Sequence, residues 1–336
     1  MTRKLFIFCL IIIAVPYSCT KKNKFDVDIS KIDAGIEIKR LDKDLFDIDL
    51  GDVKNAIPNL KEKYGEFFEL YNLRVINLSN SSNPAYPDYL QAFVTDYTIN
   101  KIHDKTIEIF PTITNIEDEL NNAFTYYKYY FPKRKIPAIY TFIGGFNQSM
   151  VVADSILSIG LDKYLGSDCE FYDRLGISEY IQVNMHPSKI PTDALKAWAL
   201  TEFTYNDSVD NLVNNMVYHG KIQYFLDAMF PNVNDTLKFG FTGKQLNWCK
   251  QHEKEMWNNL IDQKILFSTD YMTINKFINP APFTAGFPKE SPGRAVVWLG
   301  HEIVVKYMAR NPGITLEQLM MDDRYQKILT ESRYEP

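Results

Sequence analysis

Five histidines, His103, His186, His219, His252 and His301, are the first residues whose side chains could bind a metal or move a proton. Two of them precede a glutamate, as in the helix of a zinc peptidase. His252-Glu253-Lys254-Glu255 is followed by Met256, and His301-Glu302-Ile303-Val304 by Val305. Two imidazoles reach one ion from one helix face only when they stand four residues apart, so neither segment forms an HExxH site. His219 shares a helical stripe with Leu212, Met216 and Leu226, and Glu202, Asp207 and Glu255 are acids that could join it, although no spacing rule links them. A nucleophile elbow of the G-x-S-x-G type is absent. Gly144-Gly145-Phe146-Asn147-Gln148 lacks the Gly-Lys-Ser/Thr of a phosphate-binding loop and reads as a turn. The aromatic run from Tyr126 to Phe131 could bind a sugar or peptide, but helical spacing directs part of it to a core. No catalytic, metal-binding or cofactor-binding residue is assigned, and no cofactor is expected.

A different chemistry belongs to Cys19. Arg3 and Lys4 precede an apolar run from Leu5 to Val15, then Pro16, Tyr17, Ser18 and Cys19. A spanning helix needs about 20 apolar residues, so this run is too short for one and fits the core of a secretory signal. A cysteine after a small residue at that point resembles the lipidation site of bacterial lipoproteins, where the thiol takes a diacylglycerol and the signal is cut before it. Pro16 and Tyr17 depart from the usual residues of that motif. We therefore expect a signal peptide over 1–18, a lipidated Cys19 opening a flexible polar tether over 19–35, and one globular domain over 36–336. Loss of 1–18 removes Arg3 and Lys4 and no acid, leaving 35 basic against 42 acidic residues. That balance argues against nucleic acid as a partner. Cys169 and Cys249 remain, and an exported location would permit their pairing.

The elements that would position these residues follow from periodicity. With 4 Trp, 21 Tyr and 22 Phe in 336 residues, the chain can build a large core and is not a disordered type. Residues 36–40 alternate as a short strand; 136–143, 150–153 and 155–161 read as further strands, in a small antiparallel sheet. Helices are expected over 52–72, 88–98, 116–130 with Asn115 as N-cap, 193–203, 208–229, 243–262, 294–310 and 315–329. Thr315-Leu316-Glu317-Gln318 has the form of a capping box. The fold class is α+β, mainly helical with a small sheet.

The C-terminal half carries more specific blocks: Gly220 to Asp227, Phe230-Pro231, Gly240 to Trp248, Ile265 to Asp270, Ala281-Pro282-Phe283-Thr284, Ser291-Pro292-Gly293-Arg294, Trp298-Leu299-Gly300 and the terminal Ser332 to Pro336. In this order, behind a lipoprotein-like leader, they resemble the GldB family of gliding-motility lipoproteins. That resemblance implies a palmitate-type lipid on Cys19, a periplasm-facing membrane anchorage in the cell envelope, and protein partners in the gliding and type IX secretion machinery. It also implies that the protein is not an enzyme. The order of sheet and helices over 136–229 looks like a zincin-like metallopeptidase core, degenerate because 193–203 contains no histidine. Two other functions compete: an exported metal-dependent hydrolase with an irregular site of His219 and Glu202, and a periplasmic module binding peptide or glycan through exposed tyrosines.

Overall fold

A mixed four-stranded sheet separates two helical layers in a computed structural model that describes residues 23–336. The expected signal segment and Cys19 lie outside the described residues. Strands β1 (Ile38–Arg40), β2 (Ala138–Phe142), β3 (Met150–Ala153) and β4 (Ile156–Gly160) are ordered β1-β2-β4-β3. β1 pairs with β2 and β2 with β4 in parallel, with Ile38 opposite Ile139 and Ile139 opposite Leu157. Only the β3–β4 hairpin is antiparallel, turning through Asp154-Ser155 with Ser155 at φ 57°. The expected antiparallel sheet is thus corrected. A period of two residues carries no information about a strand's partner or direction.

Alternate strand residues face opposite layers. Ile139, Leu157 and Ile159 join the larger core, whereas Tyr140, Phe142 and Ile156 join the smaller one. The smaller layer comprises Val53–Tyr64, Glu66–Leu70, the π-turn Tyr71–Val75 and Tyr86–Thr95. Its centre is Phe67, stacked on Tyr140 with ring centroids 4.4 Å apart. The single helix read over 52–72 breaks at Gly65, whose φ of 54° a glycine adopts without steric cost.

Helices Thr114–Tyr130, Ile190–Glu202, Leu212–Met229 and Ala295–Arg310 form the larger layer. Leu212–Met229 is the central one: 15 of its 18 residues are buried, among them the polar Asn214, Lys221 and Gln223. Asn211 caps it by accepting from the Asn214 amide at 2.9 Å. The Thr315–Gln318 capping box is present, but Asn115 lies inside its helix, which starts after Ile113 without a side-chain cap. The helix read over 243–262 divides at His252, and that over 315–329 divides into Leu316–Met321 and Tyr325–Ser332. Helices Tyr97–Ile109 and Tyr271–Ile278 were not expected from the pattern.

Two expectations fail on contacts. The zincin-like core finds no support: Ile190–Glu202 contains no histidine, and among the described residues no three His, Cys, Asp or Glu could hold an ion. Nor is the segment up to residue 35 free from Asn23 onward. A stripe on helix Thr114–Tyr130 binds the end of this segment and the start of the domain: Lys128 donates to the Asp33 carbonyl and Thr125 accepts from Ala34 at 3.2 Å, then Asn121 accepts from Ile36 at 3.0 Å and Glu117 from the Ile38 amide at 2.8 Å. Spacings of four, four and three residues put these side chains on one helix face. Nearer the start, Asn23 donates to the Pro231 carbonyl at 2.6 Å, and the buried Phe25 ring meets Tyr224 at 5.1 Å.

Helices Leu212–Met229 and Ala295–Arg310 cross backbone to backbone. A Cβ on Gly220 would lie 2.2 Å from the Gly300 carbonyl, and one on Gly300 would lie 1.9 Å from the Met216 oxygen. Gly300→Ala is therefore expected to destabilise the protein by about 1–3 kcal/mol through forced separation of the helices. Urea unfolding should register that loss, and should leave Gly313→Ala, where an added Cβ meets nothing within 4 Å, close to the parent.

Candidate functional site

The helix crossing brings the first turn of Ala295–Arg310 beside Ile190–Glu202. Between them opens a cavity of about 530 Å³, a size typical of small-molecule sites. Its basic wall is Lys189 and Arg294, its apolar wall includes Phe241 and Pro282, and Thr242 adds a hydroxyl. Ile181 and Val183 stand exposed along the lining.

Each charged group has a local reason for its position. Lys189, Asp193 and Lys196 follow one another at helical spacing along a single face of Ile190–Glu202. Lys189 pairs with one Asp193 oxygen and reaches Thr192 at 3.2 Å; the Tyr164 hydroxyl donates to the other Asp193 oxygen at 3.2 Å. Each Asp193 oxygen thus has one donor, and the remaining acid of the lining, Glu179, is exposed. Arg294 adopts the left-handed conformation, φ 55° and ψ 37°, at the start of its helix. For a non-glycine residue this backbone is disfavoured and persists only where the surroundings impose it. Thr284 imposes it: its buried Oγ1 accepts from the Ala295 amide at 2.7 Å and donates to the Pro292 carbonyl at 2.6 Å. Gly293 lets the backbone pass against Ala281, whose oxygen would lie 2.0 Å from a Cβ there.

Arg294 uses one donor, Nη2 to the Phe239 carbonyl at 3.0 Å, and makes no ion pair among the described residues. Lys196 has no hydrogen-bond acceptor among them. Burial, then the charges of Arg294 and Lys189, push the Lys196 pKa well down, against an opposing effect of Asp193. His219 faces the same cluster. Burial, then Lys196 and Arg294, lower its pKa to about 3, so it is neutral at ordinary pH. The pairing of His219 with Glu202 is not formed, because Glu202 accepts from Arg134 at 2.7 Å and from Tyr127 at 3.3 Å. The cavity lining thus balances Lys189 and Arg294 against Asp193 and Glu179, with Arg294 making no ion pair among the described residues and no nucleophile–base pair formed.

Part of the pocket lining, Gly240 to Thr242, Gln245, Ala281, Pro282 and Pro292 to Arg294, lies within the sequence blocks noted above. A sequence-family comparison matches residues 22–336, nearly the whole chain, to the description "Gliding motility protein GldB". The chain belongs to the gliding motility protein GldB family. No curated protein and no solved structure matches it.

Behind the pocket of this GldB-family protein, the histidine of the second His-Glu pair has a structural role. His301 Nε2 bonds Asp227 Oδ2 at 2.6 Å and Nδ1 bonds Glu302 at 3.1 Å; Lys238 donates to Asp227 Oδ1 at 2.6 Å and pairs with Asp235 at 2.8 Å. The network clamps helix Asp235–Phe239, whose Phe239 carbonyl steadies Arg294. Burial alone would lower the His301 pKa, but Asp227 and then Glu302 outweigh it and raise it to about 9. Burial would raise that of Asp227; His301 and Lys238 outweigh it and hold it below the carboxylate range. The other histidines are also occupied locally: His252 stacks on Trp248 at 4.6 Å and His103 on Phe46 at 4.3 Å. In the aromatic run, Tyr126, Tyr127 and Phe131 are buried and Tyr129 is exposed. Cys169 and Cys249 are buried free thiols.

Sequence reasoning missed Lys189, Lys196 and Arg294. The signal it had was the helical spacing of Lys189, Asp193 and Lys196 and the Ser-Pro-Gly-Arg block; only the fold brings them together.

Two outcomes follow from these contacts. With a folded His301 pKa of about 9 against 6.5 as reference, its contribution is complete below pH 6.5 and is lost as pH rises through 9. The drop should be on the order of 3 kcal/mol between pH 6 and 10, and His301→Gln should flatten that part of a urea-midpoint profile. Thr284→Val keeps the side-chain shape but leaves the Ala295 amide without its acceptor, an expected loss of about 1–3 kcal/mol measurable by thermal or urea unfolding.

Proposed function

We propose that this GldB-family protein is a lipid-anchored envelope component of the gliding and type IX secretion machinery, facing the periplasm and acting by binding rather than catalysis. Family membership supports the gliding role. The basic, apolar and cysteine sequence of the leader supports attachment through Cys19. No helix among the described residues is long and apolar enough to cross a membrane, so in this reading the acyl chains supply the membrane affinity, at about 0.8 kcal/mol per buried CH₂.

One observation carries the anchored reading furthest: the chain is bound to the domain from Asn23 and Phe25 onward. Four residues extend at most about 14 Å, so a lipid on Cys19 would hold the Pro231 and Tyr224 surface near the bilayer. A domain restrained in this way can present the opposite parts of its surface to partners in a defined orientation.

Cys19→Ala in the full chain tests the anchor. The expected result is transfer from the membrane to the soluble fraction together with loss of colony spreading. Unchanged membrane retention and unchanged spreading would overturn it.

A further inference from the structure

We propose that the face formed by Tyr129, Tyr130 and Lys24 sits in the headgroup layer of the bilayer and so fixes which way the domain stands on the membrane. The inference rests on the anchored reading above and deepens it by naming the surface that the anchor brings down.

Four aromatic rings run in a row where the chain enters the domain. Tyr129 meets Tyr130 edge to face with centroids 4.9 Å apart, Tyr130 meets Phe25 at 6.4 Å, and Phe25 meets Tyr224 at 5.1 Å. Tyr129 is exposed and Tyr130 half-buried, whereas Phe25 and Tyr224 are buried. The row therefore starts in solvent and ends in the core. Lys24 closes over its inner end, with the ammonium 4.9 Å from the Phe25 centroid and 4.5 Å from that of Tyr224. Beside it, Asn23 ties the chain to the Pro231 carbonyl.

A single exposed tyrosine is ordinary on a protein surface. What distinguishes Tyr129 is its place. Cys19 stands four residues before Asn23, and four residues extend at most about 14 Å. A bilayer holding the acyl chains then passes close to the Phe25 end of the row, two ring contacts from Tyr129.

The residue types suit that boundary. A tyrosine ring is apolar and its hydroxyl bonds to water or headgroup oxygens, which is why tyrosines gather at bilayer interfaces. Lysine lays its methylenes along apolar surface and keeps its ammonium in water; Lys24, Lys128 and Lys133 are exposed near the row in sequence. Asp26, Asp28 and Asp33 belong to the same entering segment. The face is thus not a polybasic patch, and rings rather than net charge supply the contact.

Hydroxyl-radical footprinting of the full-length lipidated protein tests this, after flotation with vesicles of phosphatidylethanolamine and phosphatidylglycerol. The radical is the size of water, so only contact protects a side chain from it. Tyr89 is the internal reference: it is 46% exposed against 42% for Tyr129, and the sheet stands between its helix and that of Tyr129. Cys19→Ala protein in buffer alone supplies the baseline, where the two tyrosines should oxidise alike. On vesicles, Tyr129 should oxidise several-fold more slowly than Tyr89, while the exposed Tyr97 and Tyr271 keep their baseline rates. Flotation with Tyr129 as reactive as Tyr89 overturns the proposal, leaves the anchor standing and frees the face for a protein partner. Protection of Tyr97 or Tyr271 in place of Tyr129 overturns it in favour of another face. Slow oxidation of Tyr129 already in the baseline overturns it in favour of a second copy of this chain. Failure of the lipidated protein to float overturns the anchored reading, and this inference with it.

Discussion

Two helices meet here with no side chain between them, and much of the larger layer is arranged around that contact. Gly220 and Gly300 bring the backbones of Leu212–Met229 and Ala295–Arg310 within van der Waals distance. At such a separation each residue flanking the crossing has a fixed neighbour on the other helix. His301 follows Gly300 directly and reaches Asp227, two turns beyond Gly220. At the start of the same helix, Arg294 comes within the field of His219, one residue before Gly220. A steric condition on two glycines therefore sets the geometry of both the buried ion network and the pocket.

The ion network is worth having only because it is nearly complete. A buried carboxylate with one partner would cost more to desolvate than it recovered, whereas Asp227 has His301 on one oxygen and Lys238 on the other. Its effect spreads by covalent continuity. Lys238 belongs to the short helix Asp235–Phe239, and the carbonyl of Phe239 receives Arg294. Thr284 acts from the opposite side, tying Pro292 to the Ala295 amide. The left-handed backbone of Arg294 is thus fixed by two independent sets of contacts, which is the condition for strain to persist in a folded chain. The pocket inherits this rigidity along its Arg294 wall.

Most of the long helices and all four strands were legible as periodic patterns, because their apolar residues repeat at the spacing of the faces they bury. The Thr315 capping box was legible because its two hydrogen bonds depend on residues three apart. Gly65 and His252 interrupted helices whose apolar stripes continue across the break, so the stripe alone concealed them. The segment before residue 36 read as a polar tether for a related reason. What holds its end are backbone bonds from Ala34 to Thr125 and from Lys128 to Asp33, and a backbone group leaves no trace in composition.

By itself, the sequence determined an α+β class dominated by helices, the GldB relationship and the absence of a peptidase HExxH motif. These are properties of local spacing or ordered blocks, fixed once the residues are written down. The tertiary structure decided the parallel course of the sheet, the partners of His219 and His301, and the meeting of Lys189, Lys196 and Arg294. Those depend on which surfaces pack together. Charges more than ninety positions apart acquire a common field only after two glycines have let the helices touch.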